Sequence, residues 1–519
     1  MTSSLIDPAT TIQRLRPSNE ISRALPIFPL LSAILVVQLA VMVTLQNTAF
    51  QDEALSLFAG RDILDAWSSG TAPTTGYGAT LSGFPEFYPV VAGFLDRLGG
   101  LQLARGLSMV SGLWITVVVF LLGRRLFSDR VALLGAAFFA LQAPVLFIGR
   151  LATYDAFSLA LLGSALAIAT TRPRWWKTAA VVALCTAAPV AKYATIAFVP
   201  SALVVCAALI FLRSGRSAVL RQGLVALVSA LVFAGIVVVV FRGDPDALTG
   251  LVSTTIHRTV TDRSPAGTVL LEGLRVLGVF AVLAVIGLVL LIRKKPSAPK
   301  LLVSILLVAS VFIAPVYHVV TGELTSFDKH MAFGMLFGAP LVGYLFSRFL
   351  DSHRITQLQG LAVAVAVFLV IFGLNLSVAQ RLFTAWPNSS KMIISLKELV
   401  RLDNTRVLAE GMEVPRYYLT GDGGISAYWQ YTGLDYFRYT EPQSGATLTG
   451  DAAYRDAIEH GYFQVVVLDY TQDPVEAKAL VAQLRGDSHY SLAETIPFTT
   501  SSGTSAYQVW RLVRPVASK

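Results

Sequence analysis

The sequence predicts a mainly α-helical, polytopic membrane protein of about eleven transmembrane helices, followed by a C-terminal extracytoplasmic α/β domain. The 519 residues are 54% hydrophobic and only 14% charged, whereas soluble domains are about 25% charged. The charge is uneven, because residues 1–379 carry 28 basic and 17 acidic side chains and residues 380–519 carry 13 and 15. We therefore predict a membrane domain over 1–379 and a soluble domain over 380–519, which excludes a soluble single-domain enzyme, a disordered chain and a disulfide scaffold.

Apolar runs of spanning length recur along the first part of the chain. A transmembrane helix needs about 20 mostly apolar residues to cross the hydrocarbon core. The first run is too long for a signal peptide and lacks a clear cleavage site, so we interpret it as an uncleaved helix. Eleven spans are predicted, at 27–46, 101–122, 131–148, 156–171, 177–190, 193–212, 222–241, 268–292, 301–320, 331–347 and 357–379.

The charges between the runs predict the orientation. With the N-terminus in the cytoplasm, the inner loops hold 18 Lys or Arg residues and four Asp or Glu residues, as the positive-inside rule requires. An odd number of spans then places the C-terminal domain outside the cell membrane. Short basic loops between apolar runs favour membrane lipids as partners and do not suit a nucleic acid. The 31 Arg and 10 Lys residues are typical of a GC-rich bacterial genome, which is an association only.

The tail alternates between strand and helix patterns. Strands are predicted at 406–410, 464–469, 490–497 and 506–513. Helices are predicted over 451–460 and 474–484. Asp451 and Asp473 are the expected N-caps, Pro474 occupies the first helical position and Gly461 ends the first of these helices.

The outer loops contain the side chains that suggest chemistry. The longest, 47–100, begins with Asp52-Glu53 and contains Glu86 and Tyr88 in an aromatic–proline segment. A cluster of acids and isolated cations at the outer ends of the spans suggests one polar cavity. The other members of this set are Arg150, Tyr154, Asp155, Lys192, Tyr193, Arg258, Lys329 and His330.

Several of these residues also have a simpler interpretation. Asp52-Glu53 fits a solvated loop start, and Asp155 fits a helix cap. Arg150 fits a contact with lipid headgroups, and His330 fits an ordinary loop residue. Lys192, taken alone, favours snorkelling to the interface. The order of the residues along the chain supports the functional interpretation more than any one of them does.

That order resembles the GT-C superfamily of membrane glycosyltransferases, specifically the protein O-mannosyltransferase and aminoarabinose transferase branch (glycosyltransferase families 39 and 83). The resemblance covers about residues 27–350. It is carried by the acidic pair Asp52-Glu53, the segment 83–89, the second-span segment 104–127, Tyr154-Asp155, the segment 189–193 and the segment from Lys329-His330 to Pro340. Met331-Ala332-Phe333 departs from the family's usual Arg-Tyr, so Lys329 or His330 would supply the cation there.

The resemblance implies an enzyme that moves a hexose or pentose from a polyprenyl-phosphate sugar donor to an envelope glycan, lipid or protein acceptor. It implies catalytic roles for Asp52, Glu53 and Asp155, with Asp52 as general base. Asp52 and Asp155 would also hold any divalent metal (Mg²⁺, Mn²⁺, Ca²⁺ or Zn²⁺). The substrate-binding residues would be Glu86, Tyr88, Arg150, Tyr154, Lys192, Tyr193, Arg258, Lys329 and His330.

Two other classes of function stay open from the sequence. A transporter or flippase of envelope precursors would bind near the bilayer midplane on broken helices. A non-catalytic envelope assembly protein would present the tail and tolerate the loss of Asp52.

Overall fold

The computed structural model describes residues 26–256, 263–351, 357–401, 405–420, 426–434, 437–442 and 444–513. Within these ranges, the first part of the chain consists of helices joined by loops, without a strand. Its α-helices are α1 (Ile27–Thr44), α2 (Gln51–Ser69), α3 (Tyr88–Leu126), α4 (Asp129–Ala140), α5 (Ala143–Arg150), α6 (Tyr154–Ala169), α7 (Trp175–Ala191), α8 (Val199–Gly243), α9 (Pro245–Leu251), α10 (Ala266–Gly273), α11 (Val279–Arg293), α12 (Ala298–Val311), α13 (Ile313–Thr321), α14 (Phe327–Leu350) and α15 (Gln357–Phe383).

All eleven predicted apolar runs are helical. Within the described residues, seven helices are long and apolar enough to cross a membrane, and the pair α4–α5, bent by 67°, makes an eighth. Two more apolar helices, α6 and α7, have 16 and 17 residues. The eleventh comes from α8, which is two helical arms. These helices make the chain a multi-pass membrane protein.

The break in α8 lies where the loop between the sixth and seventh spans was predicted. Gly215 has a φ of 76°, outside the helical region, and glycine adopts it without steric cost. The arms on either side fold back on each other, because the rings of Tyr193 and Phe241 lie 6.2 Å apart. In a straight helix of about 1.5 Å rise per residue, these two positions would be about 70 Å apart.

Two other breaks shape the end of the bundle that carries α2. Gly99 and Gly100 interrupt α3, so residues 88–98 lie outside the predicted second span. The bend between α4 and α5 leaves backbone groups without helical partners, and the side chain of Asn375 accepts a hydrogen bond from the Ala143 N–H at 2.8 Å. The bundle core is a large apolar cluster contributed by α3–α8 and α10–α14.

The tail is a small α/β domain, as predicted. Its elements are α16 (Ser390–Leu399), β1 (Val407–Ala409), α17 (Glu413–Leu419), β2 (Tyr431–Thr432), β3 (Arg438–Thr440), β4 (Thr447–Thr449), α18 (Asp451–Glu459), β5 (Val465–Leu468), α19 (Pro474–Gly486), β6 (Tyr490–Thr500) and β7 (Gly503–Leu512). Five of the strands form a sheet in the order β2-β1-β5-β7-β6, with β1 parallel to β2 and β5 and with β7 antiparallel to β5 and β6. The strands β3 and β4 form a separate antiparallel pair.

One of the two predicted caps in the tail is confirmed. The Asp473 carboxylate accepts hydrogen bonds from the backbone N–H groups of Val475 and Glu476 at the start of α19. The prediction for α18 is wrong by one residue, because Gly450 is the N-cap and Asp451 lies in the first turn. An acid in the first turn still stabilises the helix dipole, which explains why the two positions look alike in sequence.

The tail docks on α2 through α17. Tyr417 donates a hydrogen bond from its hydroxyl to Asp96 at 2.7 Å, and Arg61 pairs with the same carboxylate at 2.8 Å. The Ala49 N–H donates to the Tyr418 hydroxyl at 2.8 Å. These contacts tie the loop 47–100 to the tail, so both lie at the same end of the helical bundle.

Candidate functional site

The N-terminus of α2 presents Asp52 at the junction between α2 and the membrane bundle. The Lys329 ammonium at the start of α14 lies 2.5 Å from one Asp52 oxygen, and it also lies over the Phe50 ring. The Asp52 side chain is 37% exposed and that of Lys329 is 5% exposed. The buried Lys329 ammonium fixes the position of the Asp52 carboxylate. Because this carboxylate is partly exposed, it can still be reached by another molecule and take up a proton.

A second ion pair lies nearby. Asp155, in the first turn of α6, is 2.5 Å from the Lys192 ammonium, and both side chains are almost wholly buried. Thr153 is the N-cap of α6, and its hydroxyl donates a hydrogen bond to Asp155 at 2.8 Å. Lys192 therefore does not snorkel away from the bundle but pairs with an acid. Asp155 lies two residues after the cap position, within the first turn.

The two ion pairs form a single polar cluster. Electrostatic interaction links Asp155 to Lys329 as well as to Lys192, and Asp52 to Lys192. The Lys192 ammonium lies 4.9 Å from the centre of the Tyr154 ring, a favourable cation–π geometry. We name this group of residues, Asp52, Tyr154, Asp155, Lys192 and Lys329, the paired-lysine cluster.

The segment with the aromatic–proline pattern holds Lys192 in position. The Phe84 N–H donates to the Val190 carbonyl at 2.8 Å, and the Tyr193 N–H donates to the Ser82 carbonyl at 2.9 Å. Gly83 lies between them, so close to the end of α7 that an added Cβ would be 2.1 Å from the Ala191 carbonyl oxygen. Only glycine permits this approach, which places the Lys192 turn against the loop 47–100.

Glu53 differs sharply from its neighbour Asp52. Its side chain is wholly buried and pairs with Arg105 at 2.6 Å, and the Arg105 side chain is also wholly buried. The backbone N–H groups of Phe50 and Ala152 donate to the same carboxylate. Both carboxylate oxygens of Glu53 thus have partners within the protein, which fix this side chain at the start of α2.

Arg105 was noted in the sequence only as part of the segment 104–127, and its pairing with Glu53 was not predicted. It lies within the predicted second span, where an unpaired charge is costly. This cost could have predicted the pairing from the sequence, because an arginine inside an apolar run needs an acid from another part of the chain.

Arg150 also forms hydrogen bonds within the protein. Its guanidinium donates to the Leu45 carbonyl at 3.0 Å and to the Gln102 side chain at 2.6 Å. The side chain is nearly buried, so it neither faces lipid headgroups nor offers an open fork to a phosphate. Arg150 anchors the end of α5 to the residues before α2.

Two other predicted residues, Tyr88 and Tyr193, adjoin the paired-lysine cluster, and Glu86 lies near Asp244. Tyr88 is buried with its ring 6.0 Å from that of Tyr154, and the Tyr193 hydroxyl donates to the Ala247 carbonyl at 3.3 Å. Glu86 keeps one buried carboxyl oxygen without a hydrogen-bond partner among the described residues. Burial raises the pKa of Glu86 above its usual range, and Asp244 raises it further.

His330 follows Lys329 on α14 and lines a mostly apolar cavity of about 240 Å³. The cavity lies between the turn at 194–198, α13 and α14. Arg258 lies outside the described residues.

Asp52 and Asp155 are the predicted ligands of a divalent metal. Among the described residues, no group of three or more His, Cys, Asp or Glu side chains is arranged to hold an ion. Asp52 and Asp155 each face a lysine ammonium, which repels a divalent cation. A divalent metal bound at either residue would therefore have to compete with the paired ammonium group, and the metal site stays a prediction.

Comparison with solved structures shows a shared fold. ArnT from Cupriavidus metallidurans, bound to undecaprenyl phosphate, has a TM-score of 0.57 at 16% identity, covering 95% of this chain and 99% of that chain. The archaeal oligosaccharyltransferase AglB from Archaeoglobus fulgidus, in complex with an inhibitory peptide and a dolichol-phosphate, has a TM-score of 0.53 at 12% identity, covering 92% and 74%. The arabinofuranosyltransferase AftD from Mycobacteria has a TM-score of 0.51 at 13% identity, covering 94% and 40%.

These three proteins are GT-C superfamily glycosyltransferases. The chain therefore has the GT-C fold, and the resemblance noted in its sequence motifs is confirmed at the level of fold. No protein-family model and no curated protein matches the sequence.

Proposed function

We propose that the protein is a membrane glycosyltransferase that moves a sugar from a polyprenyl-phosphate donor to an acceptor of the cell envelope, on the extracytoplasmic side. The observation that carries this proposal is the open carboxylate of Asp52, held by Lys329 beside the Lys192–Asp155 pair. The GT-C fold supports it, as do the polyprenyl phosphates bound by ArnT and AglB.

The reaction needs one base and one stabilised leaving group. An acceptor hydroxyl attacks the anomeric carbon of the sugar, the bond from that carbon to the phosphate oxygen breaks, and the polyprenyl phosphate leaves with the electron pair. Asp52 takes the proton of the attacking hydroxyl. Because the leaving phosphate is already a stable anion, a second carboxylate acting as general acid is unnecessary, unlike in glycoside hydrolysis.

The lysines have the complementary role. A phosphate beside Lys329 competes with Asp52 for the ammonium, and Lys192 adds a second positive charge within the same cluster. Buried ammonium groups stabilise phosphate charge more strongly than exposed ones. Donor binding thereby draws Lys329 away from Asp52 and leaves that carboxylate a better proton acceptor.

The surroundings suggest where the two substrates lie. The cavity beside His330 is mostly apolar and suits the first isoprene units of the donor. The unpartnered oxygen of Glu86 suits a sugar or acceptor hydroxyl, because a buried polar atom without a partner is costly. An AglB structure contains Zn and sulfate, so a metal requirement in this protein is tested by adding a chelator to the assay.

The direct test is product formation by the purified full-length protein. It is incubated with polyprenyl phosphates carrying a pentose, a hexose or an aminosugar, together with envelope glycan, lipid and protein acceptors, and the products are analysed by mass spectrometry. We expect one donor to be consumed, and Asp52→Asn to lower the rate by about 10²–10⁴-fold, the usual loss on removing a general base.

Asp65→Asn on the same helix is the matched control. Asp65 is exposed and pairs with Arg97, so this variant should keep its activity within about twofold. Near-normal transfer by Asp52→Asn would exclude Asp52 as the base. An intact wild-type protein that consumes none of the donors would contradict the proposed function.

A further inference from the structure

A groove opens at the end of the bundle opposite the paired-lysine cluster. It has a volume of about 110 Å³ and lies between the last turn of α6, the first two turns of α7 and the two arms of α8. Its walls are mainly apolar, with Val181, Leu203 and Ile210 among them, and Lys177 also lines it. The proposed glycosyl transfer makes no use of this part of the molecule.

Two basic segments of the chain meet at this groove. The connection between α6 and α7, at 170–178, and the break in α8, at 212–223, contain no acidic residue. The Arg213 guanidinium donates a hydrogen bond to the Thr170 carbonyl at 2.9 Å, which holds the two segments side by side. Together they carry six basic residues, Arg172, Arg174, Lys177, Arg213, Arg216 and Arg221.

Other basic residues at the same end of the bundle are compensated by acids. Arg124 pairs with Asp129, and both Arg130 and Arg348 pair with Asp351. Within the part of the chain that the structure describes, none of the six basic residues at the groove forms such an ion pair. The orientation of the protein in the membrane requires basic residues at this end, but it does not require them to gather at one groove. Their charge is complementary to an anion from outside the chain.

Two tryptophans show where the groove lies in the membrane. Trp175 and Trp176 begin α7, and they are 69% and 47% exposed. The Lys177 ammonium lies 5.4 Å from the centre of the Trp176 ring. Exposed tryptophans next to basic residues are typical of the membrane interface. The Lys177 end of the groove therefore lies at the level of the lipid headgroups, and its apolar walls extend among the acyl chains.

We propose that the groove binds an anionic phospholipid, with the phosphate between Lys177 and Arg213 and one acyl chain along the apolar walls. Ammonium and guanidinium groups form charge-assisted hydrogen bonds with phosphate oxygens, and basic pockets between transmembrane helices bind anionic headgroups in this way. A zwitterionic phospholipid has the same phosphate, but it carries an ammonium group that the six basic residues repel. The groove therefore selects lipids by their net charge.

The experiment measures lipid binding to the purified full-length protein in detergent. Dissociation constants for phosphatidylglycerol and phosphatidylcholine with identical acyl chains are determined by native mass spectrometry. We expect the wild type to bind phosphatidylglycerol about 25-fold more tightly, because each of two basic groups contributes a factor of about five near an anionic lipid. The double variant Lys177→Gln/Arg213→Gln should reduce this preference to about threefold or less.

Two further variants separate the groove from the general charge of this end of the bundle. Arg293→Gln/Lys294→Gln removes two exposed basic side chains between α11 and α12 and should keep the preference for phosphatidylglycerol. Ala207→Phe places a ring in the groove without changing its charge. It should weaken both lipids about tenfold, the effect of about two methylene groups that are no longer buried.

The contrary results are equally specific. A wild type that binds the two lipids equally refutes the proposal. Loss of the preference in Arg293→Gln/Lys294→Gln would assign the attraction to the whole basic end, and unchanged binding in Ala207→Phe would mean that no acyl chain occupies the groove. Displacement of phosphatidylglycerol by millimolar inorganic phosphate would mean that the site binds phosphate alone. If the double variant fails to fold, Lys177→Gln decides, with about a fivefold loss of preference expected and no loss refuting the proposal.

Discussion

Two adjacent acids at the start of α2 show how differently the fold treats the same chemical group. Asp52 is 37% exposed, and among the described residues its ion pair is with Lys329. Glu53 is wholly buried and accepts from the Arg105 side chain and from two backbone N–H groups. We name these the open acid and the closed acid. A carboxylate whose lone pairs are all used can hold a structure together, whereas one with a single partner remains free to take a proton.

The tail contains the closed arrangement again. The carboxylate of Glu410, just after β1, accepts four backbone N–H groups, those of Asp469, Tyr470, Gln472 and Asp473. Asp469 follows the adjacent parallel strand β5 and is buried beside it. The difference between open and closed acids predicts where a substitution affects catalysis and where it affects folding.

The largest effect on stability is expected at the closed acid. Glu53→Gln removes the charge opposite Arg105 and leaves a buried guanidinium unpaired, which typically costs about 3–5 kcal/mol. The free energy of unfolding, measured in detergent with the wild type alongside, checks this. Asp52→Asn is the matched variant, and it should cost no more than about 1–2 kcal/mol, because Asp52 is partly open to solvent and the buried Lys329 keeps the negative charge of Asp155 nearby. Equal destabilisation by the two variants would erase the distinction.

The next effect concerns Asp469 and depends on pH. Burial, and then the charge of Glu410, raise the pKa of Asp469 to about 7, well above the ordinary value of about 3.9. The folded state therefore holds a proton that the unfolded state releases. The resulting stability is fully present below about pH 4 and is lost as the pH rises to about 7.

Asp469→Asn mimics the protonated side chain and keeps an oxygen for the two hydrogen bonds from Thr471. We expect it to stabilise the tail by about 2–4 kcal/mol at pH 8 and by almost nothing near pH 4. Hydrogen exchange of the β5 and β7 amides in the full-length protein measures this at both pH values. A variant that is less stable than the wild type at pH 8 would show that the charged form is the one the fold accommodates.

The sequence predicts the region of the open acid better than it predicts the closed acid. The apolar runs indicate the helices, and the end of those runs indicates where the tail begins. The isolated acids and lysines at the ends of the runs indicate the members of the paired-lysine cluster, because a buried charge is costly and therefore rare in such a sequence. The closed acid could not be distinguished from the open one, since Asp52 and Glu53 are neighbours with the same chemistry. Their difference depends on Arg105 and on the Ala152 amide, 52 and 99 residues further along the chain, and no local pattern encodes that contact.

The smallest of these effects tests whether the open acid depends on a precise position for the second lysine. Gly83→Ala would place a Cβ 2.1 Å from the Ala191 carbonyl oxygen, so the Lys192 turn must shift. Such overpacking costs about 1–3 kcal/mol, and a displacement of the order of 1 Å near the reacting groups can lower the rate by about 10²-fold. The glycosyl transfer rate and the free energy of unfolding are measured together.

Gly235→Ala, where the added Cβ meets open space, is the control and should leave both unchanged or slightly raise stability. Transfer at the wild-type rate in Gly83→Ala would show that catalysis at Asp52 does not require the Lys192 turn to be held in place by the loop 47–100.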